Sequence, residues 1–159
     1  MDEATFEALY QETARPLWSY VHRVSGNATL ADDILQETYY RFLRAPRVKM
    51  DRAEMRSYLY RIATNLLNDH WRGQKRELQF AETSNTSGAR DPGEDADVAG
   101  LFQKLKPQER TLLWLAYVEG NEHKEIARML GLKEKSIRVL LFRARRNLSS
   151  LLQYKGSGE

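Results

Sequence analysis

"KEIARMLGLKEKSIRVLLFRARRNL", residues 124–148, carries two helical periodicities separated by one glycine. Ile126 and Leu130 stand four apart before the break, and Ile137, Leu140 or Leu141, and Leu148 recur at helical spacing after it. Each part can therefore bury one apolar stripe. Ala127 is small where two helices must approach closely, and Gly131, four residues on, can take the left-handed conformation that ends the first helix. Leu132 and Ile137 are expected to supply the apolar contacts that fix the crossing. This is the pattern of a helix-turn-helix. Between Lys133 and Arg146 there are six basic residues and one acid, Glu134. A helix that enters the major groove needs such an excess, with cations for phosphates and arginines for bidentate pairing to guanine. A three-helix adaptor with a solvated basic helix would share the charge but has no need of the small residue and the glycine turn together.

The region just upstream is also helical in pattern. "VAGLFQKL" precedes Pro107, which suits a first helical position, and "QERTLLWLAYVEG" ends at Gly120. Before these lies "AETSNTSGARDPGEDAD" (residues 81–97), with no large apolar residue and a surplus of acids. Such a stretch cannot bury enough surface to offset its chain entropy, so it reads as a flexible linker. Charge divides around it. Residues 1–80 carry 12 Lys/Arg against 11 Asp/Glu, residues 81–99 one against five, and residues 100–159 twelve against six. A basic part behind an acidic spacer suggests a polyanion partner.

Three helices are expected before the linker, at about residues 5–24, 30–44 and 56–76, with Pro16 kinking or splitting the first. The third, "RSYLYRIATNLLNDHWRGQKR", buries Tyr58, Leu59, Ile62, Ala63, Leu66, Leu67 and Trp71 along one stripe. Arg61, Asn65, Asn68, Arg72 and Lys75 form a second stripe of cations and amides with few acids. No strand-like alternation and no internal repeat stands out. The chain reads as all-α: two small helical domains (1–80 and 98–153) joined by a flexible acidic linker (81–97), with a disordered tail at 154–159.

The 159 residues include no cysteine, which excludes disulfides and thiolate metal sites and fits a reducing cytoplasm. The longest apolar run, "LLWLAYV", has seven residues, far short of a membrane span, and the acidic "MDEATFE" start lacks a signal-peptide layout. His22, His70 and His123 have no second histidine or cysteine at metal spacing, so neither metal nor cofactor is expected. Clustered carboxylates with histidine, a glycine-rich phosphate loop and a nucleophile beside a base are all missing, which argues against an enzyme.

Taken together, three stretches make the chain resemble a bacterial RNA polymerase sigma factor of the extracytoplasmic-function (ECF) group. "ADDILQETYYRFLR" (31–44) is similar to the helix that docks on the polymerase clamp, the 56–76 stretch to the helix that reads the −10 element, and residues 105–148 to the C-terminal domain that binds the −35 element and the polymerase flap. The resemblance implies that Asp33, Leu35, Gln36, Glu37 and Tyr39 meet core polymerase. It implies −10 contacts from Tyr60, Arg61, Asn65, Asn68, Asp69, Arg72, Lys75 and Arg76, with Tyr60 as a platform for an unstacked base and Trp71 in the core. It places the −35 face at Lys135, Ser136, Arg138, Val139, Phe142, Arg143 and Arg145, and base capture in the loop at 45–54. Arg61 and Ile62 stand where primary sigma factors keep paired tryptophans, which implies weaker melting and stricter promoters. The chain departs from the family pattern at Val139, Leu140, the "KEK" turn and Asn121, so −35 recognition is expected to lean on phosphate contacts and DNA shape.

The implied partners are core polymerase, promoter DNA and an anti-sigma factor, with no small-molecule substrate and no membrane insertion. The competing reading is a stand-alone helix-turn-helix regulator. It would use only the C-terminal motif, and would dimerise or sense a ligand through the N-terminal part.

Overall fold

Asp2 begins the first helix, accepting a 2.7 Å bond from the Thr5 amide at the N-cap. The computed structural model describes residues 1–46, 48–80 and 98–157, without the side chains of 76–80 and 154–157. Helix α1 is Glu3–Ser25, α2 is Ala28–Arg44 and α3 is Arg52–Phe80. After the undescribed residues 81–97, where the expected linker lies, come α4 (Val98–Lys104) and α5 (Pro107–Leu113). A wider π turn, Trp114–Val118, continues α5 and precedes α6 (His123–Leu130) and α7 (Glu134–Ser157). The described residues contain no strand.

Each boundary has a local cause. Gly26, at φ 72°, closes α1 with its amide on His22 O, and Asn27 then caps α2 through the Leu30 amide at 3.0 Å. Asp51 and Glu54 cap α3 reciprocally: the Glu54 amide donates to Asp51 Oδ1 at 2.8 Å and the Asp51 amide to Glu54 Oε1 at 3.3 Å. Pro16 does not split α1, which is helical from Glu3 to Ser25. Proline removes one backbone donor at a cost near 3 kcal/mol. The ring faces solvent, while Leu9, Thr13, Leu17 and Tyr20 lock the opposite face into the core. Helix α7 runs past Gln153 to Ser157, so the expected tail starts as helix.

One apolar core runs through both halves of the chain. Leu9, Leu17, Tyr20 and Val21 of α1, Ile34 and Phe42 of α2, and Leu59, Ala63 and Leu67 of α3 share it with Leu112, Leu115, Ile126, Met129, Ile137 and Leu141. Trp71 packs against its edge, half-buried. A smaller cluster of Leu105, Leu113 and Ala144 joins α5 to α7, with Phe102, Leu148 and Leu151 around it. In the helix-turn-helix, Leu141 and not Leu140 is the fully buried member, and Leu132 is 37% exposed where Ile137 is completely buried, so Ile137 is the main apolar contact at the crossing. Gly131 has φ 69°, and the Gly131 and Leu132 amides both bond to Ala127 O. Helices α3 and α6 lie directly against each other.

Candidate nucleic-acid interface

Helix α7 buries Ile137, Leu141 and Ala144 and presents the opposite side to solvent. There the structure brings together Lys135, Arg138, Val139, Phe142, Arg143 and Arg145, all exposed, with Ser136 half-buried in the first turn. Arg145 Nη1 donates to Tyr117 Oη at 2.6 Å, which ties one arginine to the π turn. The remaining cations flank two apolar side chains, Val139 and Phe142, about half exposed. Such a face offers charge to phosphates and apolar contact to thymine methyls, with few neutral hydrogen-bonding groups for base edges.

Along α3, Asn65, Asn68, Asp69, Arg72 and Lys75 lie exposed on one side, and Arg72 is hydrogen-bonded to Asp69. The Arg76 side chain is outside the described residues. The N-terminal end of this stripe differs from expectation. Arg61 is exposed, yet its guanidinium sits at the turn of the helix-turn-helix: a side-chain carbon built on Gly131 would come within 2.9 Å of Arg61 Nη2. Tyr60, expected as an open stacking platform, is fully buried in this conformation. Its ring lies 5.2 Å from that of Tyr20 with the Arg56 guanidinium 4.9 Å above it, and its hydroxyl donates to Glu119 Oε1 at 2.6 Å. Burial and the neighbouring Glu119 carboxylate push the phenol well above its ordinary value.

Glu119 and Arg56 were not legible as interacting residues. Arg56 Nη2 pairs with Glu119 Oε1 at 2.8 Å, and Arg56 Nη1 donates to Asn121 Oδ1 at 3.0 Å. Asn121 also donates to Leu115 O through Nδ2 at 3.1 Å. It closes the end of the π turn and holds Arg56 at once. Burial pushes the Glu119 carboxyl above its ordinary value, against the opposing pull of Tyr60 and Arg56.

On α2, Asp33 and Gln36 are exposed, Leu35 is half-buried against the core, and Glu37 is half-buried and paired with Arg41 at 2.8 Å. Tyr39 is not on this surface. It is buried, hydrogen-bonded to the Thr13 hydroxyl and packed edge-on against Phe6, because position 39 follows Ala31, Ile34 and Thr38 onto the core side. The outward aromatic is Tyr40, held by Arg44 Nη1 at 2.7 Å, with Leu43 beside it. The spacing of Asp33, Gln36, Tyr40 and Leu43 could have shown this.

Two further apolar hollows lie on the described surface. Phe102, Leu113, Trp114, Tyr117, Leu148 and Leu152 line one of about 420 Å³ between α4, the π turn and α7. Phe42, Pro46, Val48, Met50 and Met55 line another of about 350 Å³ at the loop after α2. No described helix is long and apolar enough to cross a membrane.

A helix-turn-helix half and a second helical half with an amide-and-cation stripe make a two-part helical architecture with two exposed, cation-bearing faces. The Sigma-70 region 2 family model matches residues 9–77, and that of Sigma-70, region 4 matches residues 96–148. The ECF RNA polymerase sigma factor SigL of Mycobacterium tuberculosis is 30% identical over 98% of this chain and 93% of its own length. SigM of Bacillus subtilis, also named an ECF sigma factor, is 24% identical over 92% of this chain and 94% of its own. Among solved structures, CnrH, in complex with the cytosolic domain of CnrY, superposes with a TM-score of 0.71 at 26% identity, covering 96% of this chain and 90% of that one. The sigma factor RpoE of Bartonella quintana, bound to the anti-sigma factor NepR, shares the fold at a TM-score of 0.72 and 19% identity over 94% and 97% of the two chains. The chain belongs to the sigma-70 family, within its ECF group.

Proposed function

We propose that this ECF sigma factor binds core RNA polymerase and directs it to promoters that carry −35 and −10 elements, acting as a specificity subunit with no catalytic step of its own. The observation that carries the reading is the pairing of two separate exposed stripes with a family match over both halves: the α7 face, and the Asn65–Asn68–Arg72–Lys75 side of α3. The first reads −35 duplex through Lys135, Arg138, Arg143 and Arg145 around Val139 and Phe142. The second holds the displaced −10 strand, with amides for base edges and cations for phosphates. The Asp33–Gln36–Tyr40–Leu43 side of α2 docks on the polymerase clamp. The hollow between the π turn and α7 takes the flap, and the hollow beside Val48 takes a flipped promoter base. An anti-sigma factor is the expected inhibitor, since a sigma factor that shares this fold was solved in complex with one. The site of action is the bacterial cytoplasm.

Transcription in vitro with core polymerase on a promoter library tests this directly. Specific start sites that depend on the added chain are the expected result. A second test is retention of core polymerase, expected to fall with Asp33→Lys while the helical signal is unchanged. A stand-alone regulator would bind −35-like duplex without retaining core polymerase.

A further inference from the structure

Besides its reciprocal caps, the start of α3 presents two methionines. With Asp51 at the N-cap and Glu54 three residues on, Met50 is the residue before the cap and Met55 the fourth of the helix. These are the two positions whose apolar side chains staple an incoming chain to its helix and fix the angle of entry. Here both are thioethers. Met50 and Met55 are half-buried against the core, and with Met1 they line the hollow of about 350 Å³ beside Val48. Three of the chain's four methionines therefore meet at one place, drawn from ahead of α1, from the loop after α2 and from the first turns of α3. The fourth, Met129, is completely buried in the main core. The chain has no cysteine, so no thiol of its own competes for an oxidant.

We propose that the Met50–Met55 staple is a methionine-oxidation site, at which a peroxide adds oxygen to sulfur and releases the loop at 48–51 from the start of α3. The sulfur lone pair attacks one oxygen of hydrogen peroxide, and the S–O bond forms as the O–O bond breaks. The departing hydroxide takes the proton left on the sulfur-bound oxygen and leaves as water. The thioether has then given two electrons to the peroxide, and the products are sulfoxide and water. A sulfoxide is polar and chiral where the thioether was apolar, so it turns to water and no longer packs across the cap. Access sets the selectivity, since Met50 and Met55 border a surface hollow and Met129 has no exposed surface. The effect on function rests on the reading above, in which this hollow takes a flipped promoter base. Oxidation then weakens −10 opening and leaves the α7 face as it was. Two leucines would hold the same angle and be inert to peroxide. Two methionines make the joint reversible, because sulfoxide reductases restore the thioether.

The test exposes the whole chain to limiting hydrogen peroxide, removes the excess with catalase and measures peptide masses. Oxygen is expected on Met50 and Met55 before Met129. Amide hydrogen exchange of the same samples, with neither DNA nor polymerase present, then reads the start of α3. The Glu54 and Met55 amides, which bond to Asp51 Oδ1 at 2.8 Å and to Asp51 O at 3.0 Å, are expected to exchange about tenfold faster in the oxidised chain. Met50→Leu with Met55→Leu, a volume-conserving change, abolishes that response to peroxide. In transcription with core polymerase, the quantity read is each chain's activity after peroxide relative to before. It falls several-fold for the unsubstituted chain, recovers on treatment with methionine sulfoxide reductase, and is unmoved for the double variant. Binding to a −35 duplex is the same before and after. Oxidation of Met129 as readily as of the other two overturns the proposal. So does unchanged exchange at the two amides once both sulfoxides are in place, or an equal loss of activity in the double variant. A chain that supports no promoter-dependent transcription in its reduced form overturns the function instead, and the exchange result then decides the staple by itself.

Discussion

Arg110 Nε donates to Val24 O at 2.8 Å across 86 residues of sequence, joining the end of α1 to α5. The same guanidinium reaches Gln103 O at 3.0 Å and Leu105 O at 2.6 Å, so one buried side chain serves three carbonyls at the ends of two helices. A cation there also answers the negative ends of both helix dipoles. Arg110→Met keeps the stem but leaves these carbonyls without that donor. Each unsatisfied buried group costs on the order of 1–3 kcal/mol, so a loss of about 3 kcal/mol in urea unfolding is expected. A loss under about 1 kcal/mol would show that water replaces the guanidinium.

Alkaline pH should loosen the protein through two phenols. Tyr20, fully buried and bonded to Thr64 Oγ1 at 2.7 Å, and Tyr60 are both pushed up, chiefly by burial. The folded state thus favours their neutral forms. Their stabilisation is complete below the ordinary phenol value of about 10 and is lost as pH rises beyond it. Urea midpoints measured from about pH 8 to about pH 11 should fall, and Tyr60→Phe should flatten that fall. Glu119 acts with the same sign in the acid range: its carboxyl is raised by burial, so its protonation as pH falls favours the folded state over the unfolded one.

The two adjacent tyrosines of α2 should separate stability from docking. Tyr39→Phe loses the bond to Thr13 and should cost about 1 kcal/mol in unfolding, with no change in core polymerase binding. Tyr40→Ala removes an exposed ring and should weaken polymerase binding at nearly unchanged stability. Competition for core polymerase against a fixed second sigma factor measures both.

Arg143→Ala should weaken binding to a −35 duplex by about 1–3 kcal/mol if the guanidinium pairs with a base, and should relax preference at one position. An equal loss on all duplexes would mark a phosphate contact. Titrations at two salt concentrations separate the cases, because a phosphate contact also lowers the salt slope by about one.

The helices were legible because their apolar residues recur at helical spacing, and Gly131 marks where α6 ends; the caps at Asp2, Asn27 and Asp51 with Glu54 were not read, so α1, α2 and α3 begin two to four residues before the expected starts. The α7 face was legible for the same reason, since Ile137, Leu141 and Ala144 fix which side is hidden. Tyr39 was misplaced by one position, which on a helix is a rotation of about 100°. Tyr60, Glu119 and Arg56 were unreadable for a different reason. Their partners lie about sixty residues away, and no local periodicity records which element of a distant half will cover a side chain. Asn121 is equally silent in the sequence, since its partner Arg56 lies in the other half.

The π turn at Trp114–Val118 has a consequence of its own. A π turn holds one residue more than the α turn it replaces, and each residue advances a helix by about 100°. Everything beyond it is therefore set at an angle by chain length and not by side-chain chemistry. Glu119 immediately follows the turn, and its grip on Arg56 depends on that angle. Single-residue deletions within 114–118 should swing Glu119 away from Arg56 even though every residue of the contact remains. Spacing at this point is as much a part of the protein's encoded information as the identity of any residue in it.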